Sequence, residues 1–125
     1  MRLTLLPTRT PTPTPGSLFV LSEQTFLCDS KITQPLIQVV TLDAAGNPVP
    51  GVEIIVSWGG GEDHFFTGLK PEISLGYADF SMQPGVTYAV HLAEGGETVP
   101  DLTPRECEEG GERFWGSWLL TYSQP

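Results

Sequence analysis

The segment Val52-Glu-Ile-Ile-Val-Ser-Trp58 decides the fold class, because apolar residues occupy every second position in it. Side chains of a β-strand alternate between its two faces, so this pattern predicts a strand with one face in the core. The residues on that face are Val52, Ile54, Val56 and Trp58. A second segment, Leu36-Ile-Gln-Val-Val-Thr-Leu42, is mostly apolar and β-branched, which favours a central strand covered on each side.

The stretch between these two strands, residues 43–51, has the composition of a turn. Gly46 permits a positive φ, while Pro48 and Pro50 remove backbone donors. We therefore predict a hairpin-like connection between the two strands.

Further strand candidates are separated by Gly and Pro at intervals of roughly 8–14 residues. They cover residues 65–67, 76–82, 86–92 and 113–123, and residues 18–22 with 25–27 supply one or two further strands. Apolar residues never recur over several turns at the spacing of a helix. The sequence thus predicts an all-β chain that forms a single Greek-key-type β-sandwich of about seven strands.

Four features in a fixed order resemble a known family. The stretch 42–56 is followed by Thr67-Gly68, by Gly76-Tyr-Ala-Asp-Phe80 and by Pro84-Gly-Val-Thr-Tyr-Ala-Val90. This order resembles the carboxypeptidase-regulatory-like and collagen-adhesin B-type domains. The resemblance implies a prealbumin-like β-sandwich of exported or cell-surface bacterial proteins, where such domains act mostly as stalks, spacers or adhesive units.

Adhesin domains of this type often carry an isopeptide bond between a lysine on an early strand and an asparagine or aspartate on the last. Here the lysines are Lys31 and Lys70, and the only asparagine is Asn47 in the turn. Residues 114–122 contain neither Asn nor Asp. We therefore predict that this chain lacks the isopeptide bond.

Residues 1–16 are predicted to be an extended Thr/Pro-rich linker or tail, and residues 17–125 the sandwich domain. Residues 7–15 read Pro-Thr-Arg-Thr-Pro-Thr-Pro-Thr-Pro, which favours polyproline II, a semi-rigid spacer. Thr/Pro tracts are common O-glycan acceptors, so we predict an exported, extracellular or cell-surface protein. Alternatively, residues 3–15 dock at a sheet edge or groove, which implies a protein partner or self-assembly.

The chain carries a formal net charge of -9, with 15 acidic residues against six basic ones. This balance would repel phosphate backbones and anionic membrane surfaces, so nucleic acid is excluded as a partner. No run approaches the roughly 20 apolar residues that a membrane helix needs, and we predict no membrane insertion.

Cys28 and Cys107 are the only cysteines, and each has a neighbouring carboxylate that would raise the pKa of a thiol. An even count in an exported protein predicts a disulfide bond between them. Two free, buried thiols are the alternative.

No combination of residues predicts catalysis, so we expect a protein that is not an enzyme and has no cofactor. Ser117 lacks the second glycine of a nucleophile elbow, and His64 and His91 lie outside any zinc-ligand spacing. The Gly-rich stretch 59–64 lacks the Lys-Ser/Thr of a phosphate cradle and predicts a flexible loop.

Two acidic clusters are weak calcium candidates, although neither has the spacing of a loop that wraps an ion. They are Glu62 with Asp63, and Glu106, Glu108, Glu109 and Glu112. A solvated acidic surface is the alternative interpretation, and no metal site is predicted.

Aromatic residues offer a binding hypothesis, because sugar rings lie against flat, exposed aromatic side chains. A candidate ligand platform combines Trp115, Tyr77 and His64. Period-two alternation places Trp118, Leu120 and Tyr122 on one face and Trp115 on the other. The alternative is that the large aromatics belong to the core.

The sequence as a whole favours a non-catalytic, extracellular structural or interaction module of a bacterial surface protein, including a subunit of a surface assembly. The alternative is a carbohydrate-binding module that uses exposed aromatics.

Overall fold

The computed structural model of the protein describes residues 18–32 and 34–125, and within these ranges the chain forms strands and turns without a helix. The predicted Thr/Pro-rich segment 1–16 lies outside the described residues. The ten strands are β1 (Val20–Leu27), β2 (Leu36–Leu42), β3 (Glu53–Trp58), β4 (Gly61–Phe66), β5 (Tyr77–Ser81), β6 (Tyr88–Leu92), β7 (Val99–Leu102), β8 (Glu106–Glu109), β9 (Glu112–Trp115) and β10 (Ser117–Ser123).

Two four-stranded sheets build the domain. The first sheet has the order β1-β10-β2-β5, and the second has the order β4-β3-β6-β7. Strands β10 and β2 run parallel, whereas the other neighbours in both sheets are antiparallel. Strands β8 and β9 form a separate two-stranded hairpin.

The core lies between the two sheets, and period-two alternation decides which side chains enter it. Strand β2 contributes Ile37 and Val39, β3 contributes Ile54 and Val56, and all four are fully buried. On β10, alternate residues starting at Trp118 are buried, as predicted. The predicted all-β sandwich is confirmed.

Several predicted details of the strands were wrong. The second face of β2 is half-buried rather than fully covered. Residues 59–64 were expected to form a flexible loop, but residues 61–64 belong to strand β4. Residues 18–27, predicted to supply one or two strands, supply one strand with a bulge between Leu21 and Glu23. Two strands, β7 and β8, were not predicted, because proline and acidic residues dominate them and each lies at a sheet edge or in the hairpin.

The connection between β2 and β3 also differs from the predicted hairpin. A tight turn does form at its start, where Asp43 accepts hydrogen bonds from the backbone N–H groups of Ala45 and Asn47. The chain then crosses from the first sheet to the second, because β2 and β3 belong to different sheets. Strands β2 and β3 therefore face each other across the core and do not pair.

Two buried threonine hydroxyls hold this crossing in place. The side chains of Thr41 and Thr67 each donate a hydrogen bond of 2.8 Å to the carbonyl oxygen of Val49. The Thr67 hydroxyl also accepts the backbone N–H of Val52 at 3.0 Å. Thr41 belongs to the first sheet and Thr67 follows the last residue of β4 in the second, so this Thr41–Val49–Thr67 junction ties both sheets to the crossing.

The hairpin of β8 and β9 is fastened to the first sheet by the Cys28–Cys107 disulfide, which confirms the predicted bond. The two Cα atoms are 5.7 Å apart, and the bond spans 79 residues of sequence. Gly116 separates β9 from β10, so the predicted single strand 113–123 is divided. A Cβ at Gly116 would overlap Phe26 Cζ and would lie 2.8 Å from both Cys107 Sγ and the Leu27 carbonyl oxygen.

We predict that Thr67→Val lowers the free energy of unfolding by about 2–3 kcal/mol, because it leaves the Val52 N–H buried without a partner. Thr25→Val serves as the control and is expected to change stability by less than about 0.5 kcal/mol, because Thr25 is only half-buried and its hydroxyl contacts the exposed Glu23. Urea unfolding of both variants measures the difference. Equal urea midpoints for the two variants would show that the Thr67 hydroxyl does not stabilise the connection between β2 and β3.

We also predict that Gly116→Ala costs about 1–3 kcal/mol, because the added methyl group overlaps atoms that cannot all move aside. Gly59→Ala is the matched control, since nothing lies within 4 Å of its Cβ position. Thermal unfolding under oxidising conditions compares the two. A Gly116→Ala protein as stable as Gly59→Ala would contradict the close packing around the disulfide.

Candidate functional site

The three residues of the predicted ligand platform lie on three different sheets. His64 belongs to β4, Tyr77 to β5 and Trp115 to β9. Trp115 is 39% exposed, whereas Tyr77 is only 6% exposed. Because a sugar platform needs exposed rings on one surface, these three residues do not form the expected one.

Tyr77 is buried because the connection from β4 to β5, residues 67–76, folds against it. The Gly68 N–H donates to the Tyr77 carbonyl oxygen at 3.1 Å, and Gly68 has a φ of 94°. A side chain at Gly68 would therefore be strained and would also approach Pro50 Cβ to 2.8 Å. Burial raises the pKa of the Tyr77 hydroxyl to about 12.

The calcium candidates of β4 are engaged with His64 instead of converging on one point. Glu62 Oε2 lies 2.7 Å from His64 Nε2, and Glu53 Oε2 lies 2.5 Å from His64 Nδ1. Asp63 accepts the His64 backbone N–H. In the hairpin, Glu106 lies 3.6 Å from Arg113. Among the described residues no group of three or more His, Cys, Asp or Glu side chains is arranged to hold a metal ion.

Ser117 and His91, the other residues considered for chemistry, lie in different sheets. The Ser117 hydroxyl is buried at the start of β10 and accepts the backbone N–H of Leu36 at 2.9 Å. His91 lies on β6, opposite Ile55 of β3. In the part of the chain that the structure describes, no helix is long and apolar enough to cross a membrane.

The side of the sandwich where β4 and β5 lie carries an exposed apolar cluster that the sequence patterns did not indicate. Its residues come from the end of β4 and from the connection to β5. They are Phe66, Leu69, Ile73 and Leu75, and all are at least 40% exposed. Leu69 is the most exposed of them at 74%. Large exposed apolar patches on small domains commonly mark interaction sites. We call this surface, together with β5, the β4–β5 side.

A polar network lies in the middle of the β4–β5 side. The Lys70 ammonium donates to both carboxylate oxygens of Asp79, at 3.0 and 2.9 Å. The Tyr77 hydroxyl donates to Asp79 Oδ2 at 2.9 Å and accepts from Gln38 Nε2 at 2.9 Å. The Asp79 side chain is largely buried, whereas Lys70 is half-exposed. The four polar groups satisfy one another and fix the position of Lys70 over the edge of β5.

Two depressions flank this network. An outer groove of about 370 Å³ lies over the outside face of the first sheet, and its lining includes Ile32, Ile73, Ser81 and Gln34. A lateral cleft of about 130 Å³ opens between the two sheets, and its lining includes Phe65, Phe66 and Leu69. Lys70, Tyr77 and Asp79 line both depressions, so the edge of β5 runs between them.

Among the described residues β5 is the last strand of the first sheet, so one side of its backbone has no strand partner there. The Gly76 carbonyl accepts the Thr41 N–H, and the Met82 N–H donates to the Pro35 carbonyl, so the even-numbered residues bond towards β2. Antiparallel pairing alternates, which directs the N–H and C=O groups of Asp79 and Ser81 away from β2. These groups form an open hydrogen-bonding edge between the two depressions.

A scan against family models, a search of curated proteins and a search of solved structures found no match to this chain. The resemblance to carboxypeptidase-regulatory-like and collagen-adhesin B-type domains therefore stays a prediction from the sequence.

His64 supplies a pH-dependent prediction. The hydrogen bond to Glu53, followed by the one to Glu62, raises the pKa of His64 above its ordinary value of 6.5. A raised folded-state pKa stabilises the fold below the unfolded-state pKa, and this contribution is lost as the pH rises through the folded value. We expect NMR titration to show His64 protonating above pH 6.5.

Glu53→Gln is expected to lower the pKa of His64, because it removes the carboxylate with the largest influence. Glu108→Gln on the hairpin is the control and should leave the His64 titration unchanged. A His64 titration that is the same in Glu53→Gln and in the unmodified protein would show that the Glu53–His64 contact does not persist in solution.

Proposed function

We propose that this chain is a non-catalytic structural or interaction module of an exported bacterial surface protein, and that it binds an extended segment of protein at the edge of β5. The observation that carries the proposal is the open backbone edge of Asp79 and Ser81 between the outer groove and the lateral cleft. An extended peptide that adds to a sheet edge gains main-chain hydrogen bonds and directs alternate side chains to opposite faces of the sheet.

The two depressions match that geometry. Alternate side chains of an added strand would enter the outer groove and the lateral cleft in turn, because these lie on opposite sides of the first sheet's edge. The lateral cleft offers the apolar surfaces of Phe65, Phe66 and Leu69, whereas the outer groove offers both apolar and polar groups. The site would select peptides with apolar residues at every second position.

Export is supported by the Cys28–Cys107 bond, because structural disulfides persist mainly in oxidising compartments. The bond fastens the hairpin to β1, at the opposite edge of the first sheet from β5. The first sheet is thus fixed by the disulfide near β1 and open at β5. This arrangement suits a structural spacer that also binds a neighbouring protein.

The proposal is tested by panning an extended-peptide library against the oxidised full chain, with a glycan array in parallel. Leu69→Asp places a charge in the lateral cleft, and Ser81→Pro removes an outward N–H without breaking the β2–β5 pairing. We expect Leu69→Asp to weaken the selected peptides at least about tenfold and Ser81→Pro about fivefold.

Trp115→Ser is the matched control, because Trp115 is exposed on the distant hairpin strand β9. It should leave peptide binding unchanged. Circular dichroism on every variant checks that the sandwich has formed. Peptides that bind equally well to Leu69→Asp and Ser81→Pro would contradict the edge site, and glycan binding that is lost in Trp115→Ser would instead support the carbohydrate alternative.

A further inference from the structure

The residues that precede the described domain have the opposite charge to the domain. Residues 1–17 contain Arg2 and Arg9 and no acidic residue. The remaining four basic residues and all 15 acidic residues lie in 18–125, which gives that part a formal charge of -11 against +2 for the preceding segment. Charge complementarity of this kind favours association between the two parts.

The first residues of the chain also have the apolar pattern that the edge of β5 would select. Met1-Arg-Leu-Thr-Leu-Leu6 places Met1, Leu3 and Leu5 on one face of an extended chain, and Arg2, Thr4 and Leu6 on the other. Pro7 then ends the stretch, because proline cannot continue a hydrogen-bonded ladder.

The two faces of this stretch correspond to the two depressions. Met1, Leu3 and Leu5 suit the lateral cleft and its phenylalanine and leucine side chains. Arg2 and Thr4 would lie over the outer groove, where Ser81 and Gln34 offer polar groups beside the Lys70–Asp79 pair. Leu6 would reach towards Ile73 or Ile32. The same peptide in a register shifted by one residue would place Arg2 in the apolar cleft, so the pattern defines the register.

The predicted stiffness of the linker favours docking of residues 1–6 on a second copy of the chain over docking on their own domain. Nine residues of polyproline II, positions 7–15, extend about 28 Å. Leu18 lies just before the first residue of β1. At this end of the first sheet, β1 pairs with Ser123 of β10, Ser123 lies beside Leu42 of β2, and Tyr77 begins β5. Strands β1 and β5 are three spacings apart, about 14 Å. A straight linker of twice that length would therefore place residues 1–6 more readily on a second copy than on their own domain.

We propose that residues 1–6 of one copy add as a strand to the edge of β5 in a second copy, so that copies join head to tail. This inference rests on the proposed edge site and names its occupant. The donor and acceptor surfaces differ, so the contact is heterologous and continues from copy to copy unless the rotation closes a ring.

Sedimentation of the oxidised full chain over a range of concentrations tests the proposal. We expect association beyond the dimer. The double substitution Leu3→Thr with Thr4→Leu keeps composition and charge but breaks the alternation, and it should weaken association at least about tenfold. Leu69→Asp damages the acceptor and should have the same effect, whereas Trp115→Ser should have none.

Mixing the Leu69→Asp protein with the Leu3→Thr/Thr4→Leu protein tests directly whether a donor segment on one copy binds an acceptor edge on another. The Leu69→Asp protein keeps an intact donor segment, and the Leu3→Thr/Thr4→Leu protein keeps an intact acceptor edge. Their mixture should form heterodimers that do not grow further, although each protein alone is a monomer. Rescue by mixing also shows that both variants are folded.

Two results would overturn the proposal. Association that is unchanged by Leu3→Thr/Thr4→Leu would exclude residues 1–6 as the occupant. A full chain that stays monomeric, with the amides of Asp79 and Ser81 protected from hydrogen exchange only when Leu3 and Leu5 are intact, would place the segment on its own domain. If library peptides still bind at the β5 edge of such a monomer, the proposed function stands and this inference alone fails.

Discussion

The carbonyl oxygen of Val49 is the acceptor on which the rest of the domain depends. It accepts hydrogen bonds from the hydroxyls of Thr41 and Thr67, one from each side of the sandwich, and all three residues are buried. Hydrogen bonds in such surroundings are costly to lose, because the freed groups cannot turn to solvent. The junction therefore fixes the angle at which the chain leaves β4, and Gly68 directly follows it.

The geometry of the candidate site at the β4–β5 side depends on this junction. Gly68 adopts the left-handed conformation and donates to the Tyr77 carbonyl, which sets the path of residues 69–76. That path places Lys70 over Asp79 and leaves Leu69 and Ile73 facing outwards. A change at the buried junction is thus expected to move the exposed cluster, although no residue of the junction lies on the surface.

The alternation of apolar residues in the sequence predicted the strands that have one face in the core. It failed to predict the burial of side chains that are covered by residues distant in the sequence. Strand β2 was predicted at its observed bounds, and the buried face of β10 was identified from Trp118 onwards. Tyr77 was expected at the surface, because alternation correctly puts it on the outer face of β5 but cannot show that residues 67–76 fold over it. The pairing of Lys70 with Asp79 depends on the same long-range contact. An open edge is likewise a property of strand order, which no single strand encodes.

Strand order also explains why β5, among the four sheet edges, is the one suited to accept a partner. Natural sheets protect their edges with bulges, prolines and charges. Strand β1 carries a bulge at Leu21/Glu23, β7 contains Pro100 and the left-handed Asp101, and β4 presents Glu62, Asp63 and His64 in succession. Strand β5 has no bulge and no proline, its one carboxylate, Asp79, is neutralised by Lys70, and the connection 67–76 covers its edge only at Tyr77. The open part of this edge, at Asp79 and Ser81, would promote aggregation if it stayed uncovered. Its position between two depressions is explained if another strand normally covers it.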